Sequence, residues 1–243
     1  MKGKVAMITG ASVGIGRAVA LQMAKEGVKL LLLDFNKELL EKVGEELKAV
    51  TDEIMLVACD VTDENAVNEA VRNAVDKFGG IDILVNNAAL WRNFEPFCET
   101  TTQKWQTFLN VNILGVVHCT KAVLPQMLAK GYGRIINVAS VAGVYGNGNM
   151  APYSATKGAV IAMSKALAKE TTGKGVLVNC VSPGTVSDSR ISDVSFTEPN
   201  SMSYAGRTGS DQENADLICF LASEKASYIS GQNILIDGCR KSI

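Results

Sequence analysis

Short apolar runs rich in Val, Ile and Leu alternate along nearly the whole chain with longer stretches whose apolar residues recur at helical spacing. The runs are Val5 to Thr9, Lys29 to Leu33, Ile54 to Cys59, Ile81 to Asn86, Arg134 to Val138, Val176 to Ser182 and Ile234 to Asp237. Between them, Leu40, Val43, Leu47 and Val50 mark one helix face, and Val67, Ala70, Val71, Ala74, Val75 and Phe78 mark another. Strands that are apolar throughout, rather than alternating, are buried on both faces, and helical crossovers between them require a parallel sheet. The pattern predicts an α/β fold: one doubly wound parallel sheet of about seven strands with helices on both faces. No Pro- or Ser-rich linker and no internal repeat divides the chain, so residues 1–243 are read as one domain. The stretch from Val186 to Gly209 lacks periodicity and is rich in Ser, Asp and Asn, which suits a substrate loop over a site.

Composition narrows the partners. Of 243 residues 47% are apolar and 20% charged, enough for one sizeable core. A net charge of -1 and the absence of a basic run argue against nucleic acid or an anionic membrane. The start, MKGKVAMITG, has no signal-length apolar region, and the longest apolar runs, such as Val28 to Leu33, are strand-sized, so a cytoplasmic protein without a membrane segment is expected. Six cysteines, at 59, 98, 119, 180, 219 and 239, form no C-x-x-C pair and are read as buried or half-buried free thiols in a reducing cytosol. His118, the single histidine, lies in the helical pattern from Val111 to Leu128 and is assigned a structural role; no cluster has metal-ligand spacing, and no metal is expected.

In a doubly wound sheet ligands bind at the carboxyl ends of the strands, and the unusual residues gather there. "ITGASVGIGRAV", residues 8–19, leads from the first strand into a helix pattern, Ile15 to Lys25. Its Gly10, Gly14 and Gly16 suit close approach of backbone to a pyrophosphate at a helix N-terminus, although a glycine-rich turn can equally be structural. Asp34 ends the second strand 18 residues beyond Gly16, near the separation expected of an acid that binds a ribose 2′-hydroxyl. A carboxylate there repels a 2′-phosphate, and no Arg or Lys stands within the glycine stretch or directly after Asp34, with Lys37 the nearest; NAD is therefore favoured over NADP. Asp60, Asn86 and Asn87 end further strands and suit either the cofactor's adenine and ribose or helix caps, a task for which Thr62 and Asp63 are better placed.

Tyr153 and Lys157, four apart at the start of a helical pattern, fall on one face. An ammonium near a phenol stabilises the phenolate and is expected to lower its pKa, making tyrosine a usable general acid or base. Ser140, after the run Arg134 to Val138, is placed to donate to a substrate oxygen.

With these residues in view the chain resembles a short-chain dehydrogenase/reductase of the standard single-domain Rossmann type over essentially its whole length. The resemblance rests on Thr9-Gly10-x-x-x-Gly14-Ile15-Gly16, Asp60-Val61, Asn86-Asn87-Ala88, Asn112, Ser140, Tyr153-x-x-x-Lys157, Pro183-Gly184 and the ending "YISGQNILIDG". It implies that Tyr153 is the general acid/base, that Ser140 bonds the substrate oxygen, and that Lys157 holds the nicotinamide ribose. Asn112 would support a water relay to Lys157. Cofactor contacts would come from Gly10, Ser12, Gly14, Ile15, Gly16, Asp34, Asp60, Val61, Asn87, Ala88, Tyr153, Lys157, Pro183, Gly184, Val186 and Ser187, the last for the nicotinamide amide. The family's usual Asn-Asn-Ala-Gly is replaced at its last position by Ala89. The expected activity is NAD-dependent interconversion of a secondary alcohol and a ketone. Trp91, Phe94, Phe97, Tyr145, Met150 and Met202 near the site point to a bulky apolar substrate such as a hydroxysteroid or cyclic alcohol. The alternatives are a 3-oxoacyl-thioester reductase and a non-catalytic dinucleotide-binding protein. A homotetramer is implied through the segments Trp105 to Leu128 and Tyr153 to Lys169.

Overall fold

Each apolar run forms a strand whose neighbours in the sheet lie parallel to it. The computed structural model describes residues 1–92, 94–187 and 193–241. Its strands are β1 (Val5–Thr9), β2 (Lys29–Asp34), β3 (Ile54–Ala58), β4 (Ile83–Asn86), β5 (Gly133–Val138), β6 (Val176–Pro183) and β7 (Asn233–Ile236). They form one seven-stranded sheet in the order β3-β2-β1-β4-β5-β6-β7, with every ladder parallel. The connecting helices are α1 (Gly14–Lys25), α2 (Lys37–Lys48), α3 (Glu64–Phe78), α4 (Thr102–Leu109), α5 (Gly115–Lys130), α6 (Ala142–Tyr145), α7 (Ala151–Thr171) and α8 (Asp211–Ala222). β4 begins later than the apolar run from Ile81 because Gln126 Oε1 accepts the Ile81 N–H and the ladder then starts with Asp82 N–H to Val5 O.

The reason the strands are apolar throughout is visible in β1. Ala6 and Ile8 face one core, with Val19 and Met23 of α1, Leu40 and Leu47 of α2 and Ile218 of α8. Val5 and Met7 face the other, with Val67 and Ala74 of α3 and Val123 and Met127 of α5. Each Leu, Ile or Val taken from water in this way contributes roughly 1.5–3 kcal/mol. The strand order reverses between β1 and β4, so the crevice for a ligand opens at their carboxyl ends.

Polar residues mark the helix starts. Asn36 Oδ1 accepts the Leu39 N–H of α2, Asp63 Oδ1 accepts the Asn65 and Ala66 N–H groups of α3, and Ser210 and Glu213 form a reciprocal capping box on α8. Asp63 thus takes the capping task that its sequence position suggested.

α4 and α5 are joined by a π-helical turn, Asn110–Leu114, into one helical run from Thr102 to Lys130. By length and composition that run could cross a membrane, although no apolar stretch of the sequence stood out as a span. Here Cys119, Val123 and Met127 of its inner face are buried against the sheet. Four of the cysteines are buried, but Cys98 and Cys239 are exposed, which corrects the expectation for those two. Cys98 sits in an exposed one-turn helix, Phe97–Glu99, and Cys239 in the tail beyond β7, where neither layer covers it.

Candidate active site

The glycine turn after β1 is shaped by two close approaches. Gly10 and Gly14 have φ of 63° and 58°, left-handed values that disfavour a side chain. A Cβ on Gly16 would lie 2.1 Å from the Gly10 carbonyl oxygen, so α1 can fold back on the turn only without one. No side chain caps α1 and no acid occupies its first turn, which leaves the N–H groups at Gly14, Ile15 and Gly16 available to an anion.

Asp34, buried at the carboxyl end of β2, grips the same turn. Its Oδ2 accepts the Ser12 N–H at 3.0 Å and the Ser12 hydroxyl at 2.6 Å, while Oδ1 accepts the Asn36 N–H at 2.9 Å. A carboxylate offers about four acceptor positions, so Oδ1 retains one for a diol hydroxyl. These residues fit the pyrophosphate and ribose of a dinucleotide. Asn87 holds the turn from the β4 side: Nδ2 donates to Thr9 O at 3.1 Å and Gly10 O at 2.9 Å. The Thr9 hydroxyl accepts the N–H groups of Asn87 and Ala88 and so ties β1 to β4 across the switch point.

Asn86, by contrast, points into the core, where Nδ2 donates to Asn137 Oδ1 at 2.8 Å and Thr120 Oγ1 at 3.2 Å. Asp60 is exposed and accepts the Thr62 N–H, and Val61 is buried with its carbonyl 2.9 Å from His118 Nδ1. His118 therefore fixes backbone beside the crevice. Among the described residues no His, Cys, Asp and Glu cluster could hold a metal ion.

The second half of the site is built on α7, which begins at Ala151 with Pro152 in its first turn, where proline's missing N–H costs nothing. Tyr153 and Lys157 lie on one face, with the ammonium 5.8 Å from the phenol ring centroid. Lys157 Nζ donates to Val138 O, the last residue of β5, at 2.6 Å. Ser140, two residues further on, is buried, and its Oγ accepts the Ala142 N–H.

Asn112 occupies the π-helical turn, a feature often found at functional sites. Its Nδ2 donates to Leu90 O at 2.9 Å and Thr156 Oγ1 at 3.0 Å, and its Oδ1 accepts the Leu90 N–H at 2.8 Å. It thereby joins the loop after β4 to α7 between Tyr153 and Lys157. Thr156, which closes this link, escaped the sequence reading because nothing in its local pattern marks it.

The electrostatics differ from the sequence expectation. Burial holds the Tyr153 phenol above its usual range, with the Ser140 hydroxyl acting in the opposite sense, and burial pushes the Lys157 ammonium down to about 8. Lowering of the phenol by Lys157 is not seen, because desolvation acts on both groups and the ammonium is directed at Val138 O.

On the β6 side, Val141 N–H bonds Pro183 O at 3.0 Å and sets the Pro183–Gly184 backbone beside Ser140. Val186 pairs with Gly209. The Ser187 hydroxyl is buried against Thr208 Oγ1 at 2.7 Å, facing its own loop. Of the substrate loop expected over Val186 to Gly209, residues 188–192 lie outside the described residues. The apolar residues expected near the site are mostly exposed: Trp91, Phe94, Phe97, Tyr145 and Met202 are, whereas Met150 is buried. Phe97 meets Trp105 edge-on at 6.1 Å.

The short chain dehydrogenase family model matches residues 4–199. The chain is 38% identical over 241 residues to a 3-oxoacyl-[acyl-carrier-protein] reductase of Thermotoga maritima, covering 98% of each. It is 35% identical to a 2-dehydro-3-deoxy-L-rhamnonate dehydrogenase (NAD(+)) of a Sphingomonas strain, covering 98% of this chain and 95% of that one. A crystal structure of NAD+-bound xylitol dehydrogenase superposes with a TM-score of 0.91 at 34% identity, covering 98% of both chains. The parallel sheet, the glycine turn and these likenesses agree: the chain belongs to the short chain dehydrogenase family and is an oxidoreductase that acts on CH–OH groups of small molecules with a nicotinamide dinucleotide.

Proposed function

We propose that the protein interconverts a secondary alcohol and a ketone with NAD as its dinucleotide. The observation that carries the choice of NAD is Asp34, buried at the end of β2 with one acceptor position left on Oδ1. Two cations of the adjoining helices are engaged in ion pairs: Arg17 of α1 with Glu46 at 2.7 Å and Lys37 of α2 with Glu41 at 3.8 Å. A 2′-phosphate would thus meet a carboxylate and no cation held for it.

A nicotinamide held in this crevice would supply the hydride acceptor or donor. Tyr153 exchanges the proton at the substrate oxygen through its hydroxyl, and Ser140 donates a hydrogen bond to that same oxygen. Lys157, held at Val138 O, supplies positive charge behind the phenol and donors for the nicotinamide ribose. Asn112 keeps the loop after β4 and α7 in register, so that these groups stay aligned. Gly10, Ser12, Gly14, Ile15, Gly16, Asn87 and Ala88 would cradle the pyrophosphate and adjoining ribose, Asp60 and Val61 the adenine, and Pro183, Gly184 and Val186 the nicotinamide, joined by Ser187 once its hydroxyl leaves Thr208.

The exposed aromatic rim of Trp91, Phe94 and Tyr145 supports a substrate with an apolar portion, such as a hydroxysteroid or cyclic alcohol. A second reading, reduction of a 3-oxoacyl thioester, is favoured by the likeness to the Thermotoga maritima reductase; Asp34 counts against it wherever that chemistry runs on NADPH. NADH formation against sterols, cyclic alcohols, polyols and hydroxyacyl thioesters tests the choice. Tyr153→Phe is expected to lower kcat by about 100-fold or more while NAD still binds. Turnover retained by that variant would remove Tyr153 from its role.

A further inference from the structure

Beyond β7 the chain turns back beside the Gly184–Thr185 backbone. Asp237 Oδ1 accepts the Cys239 N–H at 3.0 Å, Tyr204 N–H bonds Cys239 O at 2.9 Å and Lys241 N–H bonds Met202 O at 2.9 Å, with Ser203 and Arg240 facing each other as an antiparallel bridge. The tail is thus bridged to the segment Met202 to Tyr204. It holds Arg240 at the carboxyl ends of β6 and β7, on the same edge of the sheet as the reacting groups.

The Arg240 guanidinium reaches across to the turn before α7, where Nη2 donates to Asn147 Oδ1 at 3.0 Å. Asn147 in turn donates its backbone N–H to the hydroxyl of Ser154, the residue after Tyr153, at 3.2 Å. A small cavity is bounded by Gly184, Thr185, Asn200, Ser203, Asp237 and Arg240, and so touches both the Pro183–Gly184 backbone and the guanidinium.

The cavity wall carries two guanidinium groups and one carboxylate. Arg207, the other arginine on its wall, is neutralised by Glu213 through bonds of 2.9 and 2.6 Å. Asp237 accepts the Cys239 N–H and keeps its charge, but forms no ion pair with Arg240. Among the described residues no carboxylate lies within ion-pair distance of Arg240. A guanidinium has five N–H donors in a planar fork that matches a carboxylate, and the Asn147 bond uses one of them while fixing the plane.

We propose that Arg240 is a specificity-determining residue that binds a carboxylate on the substrate, so that the preferred alcohols are hydroxy acids. This rests on the alcohol–ketone reading above and sets a charged substrate class against the apolar examples given there. The carboxylate takes the place of an acid that Arg240 does not find among the described residues, and Asn147 links its position to the helix that carries Tyr153.

The test compares matched acid and neutral alcohols, gluconate with sorbitol and xylonate with xylitol, as kcat/KM for NAD reduction by the full chain and by Arg240→Gln and Arg240→Lys. The parent is expected to favour each acid, and Arg240→Gln to lower the acid-to-neutral ratio about 10- to 100-fold, chiefly through KM. Arg240→Lys, which keeps the charge without the fork, is expected to fall between them. A ratio near one in the parent, or a ratio that Arg240→Gln leaves unchanged, overturns the assignment. Should the parent oxidise neither member of either pair, the alcohol–ketone reading fails for these compounds, and Arg240 is then judged by titrating gluconate into the NADH complex and following NADH fluorescence. Binding that weakens in Arg240→Gln supports the carboxylate site; no binding, or equal binding in both, overturns it.

Discussion

Asp34→Asn separates two tasks that one carboxylate performs. In the folded chain its oxygens accept three hydrogen bonds, from Ser12 N–H, the Ser12 hydroxyl and Asn36 N–H. Bonds to a charged acceptor contribute about 1.5–3 kcal/mol each. An amide placed with its oxygen toward Ser12 keeps two of them in neutral form and sets an NH2 against the Asn36 N–H, for a loss of about 1–3 kcal/mol in stability. The diol loses its charged acceptor as well, and about 1.5–3 kcal/mol there corresponds to a 10- to 150-fold weaker Kd for NAD. For NADP the change has the opposite sign. Two unit charges about 4 Å apart near a protein surface repel by about 4 kcal/mol, and the variant removes that term. The ratio of kcat/KM for NAD over NADP should therefore fall by about 100-fold or more. Steady-state kinetics with both cofactors reads the ratio, and a thermal melt of the same protein reads the structural task. A lower Tm with an unchanged cofactor ratio would refute the diol argument and leave Asp34 as a clamp on the glycine turn.

Further consequences follow from Lys157 and Gly175. Lys157 has a folded pKa of about 8 against an unfolded value of about 10.4, so the unfolded chain binds more protons between those values and stability rises with pH across that window. Below about pH 8 the buried charge is a full penalty, and Lys157→Met should stabilise the fold at pH 7 by about 1–3 kcal/mol, a gain that shrinks toward pH 10. Urea unfolding at the two pH values checks this, and equal destabilisation at both would contradict it. At the opposite end of the sheet, Gly175 has φ of 83° and a Cβ there would lie 2.0 Å from the Gly131 carbonyl oxygen. Gly175→Ala should cost at least about 2 kcal/mol, or roughly 4–8 °C in Tm by calorimetry, and a melt within a degree of the parent would show that the Gly131 turn yields freely.

The order of elements was legible because burial on both faces leaves strands such as Leu30 to Leu33 with no polar alternation, and only a layered parallel sheet provides that environment. The positions of Gly10, Asp34 and Ser140 were legible for a related reason, since polar or flexible residues at the ends of apolar runs have few other uses, and those of Tyr153 and Lys157 from their four-residue spacing at a helix start. Their states were not. Whether an ammonium lowers a phenol depends on which atom it faces and how much water remains, and here Val138 O and burial set the outcome for Lys157 and Tyr153. Cys98 and Cys239 read like the other thiols in sequence, yet lie where neither layer reaches.

By itself, then, the sequence determined the α/β layering and the set of polar and flexible residues at the strand ends, since each follows from periodicity or from local backbone demands. Tertiary structure alone decided which of those residues meet. Thr9 closing on Asn87 and Ala88, Asn112 joining Leu90 to Thr156, and Arg240 reaching Asn147 all span separations that no local pattern encodes. Hydrogen bonds at such range are made only after the sheet and its helices have fixed the backbone, and they set the geometry on which the chemistry depends.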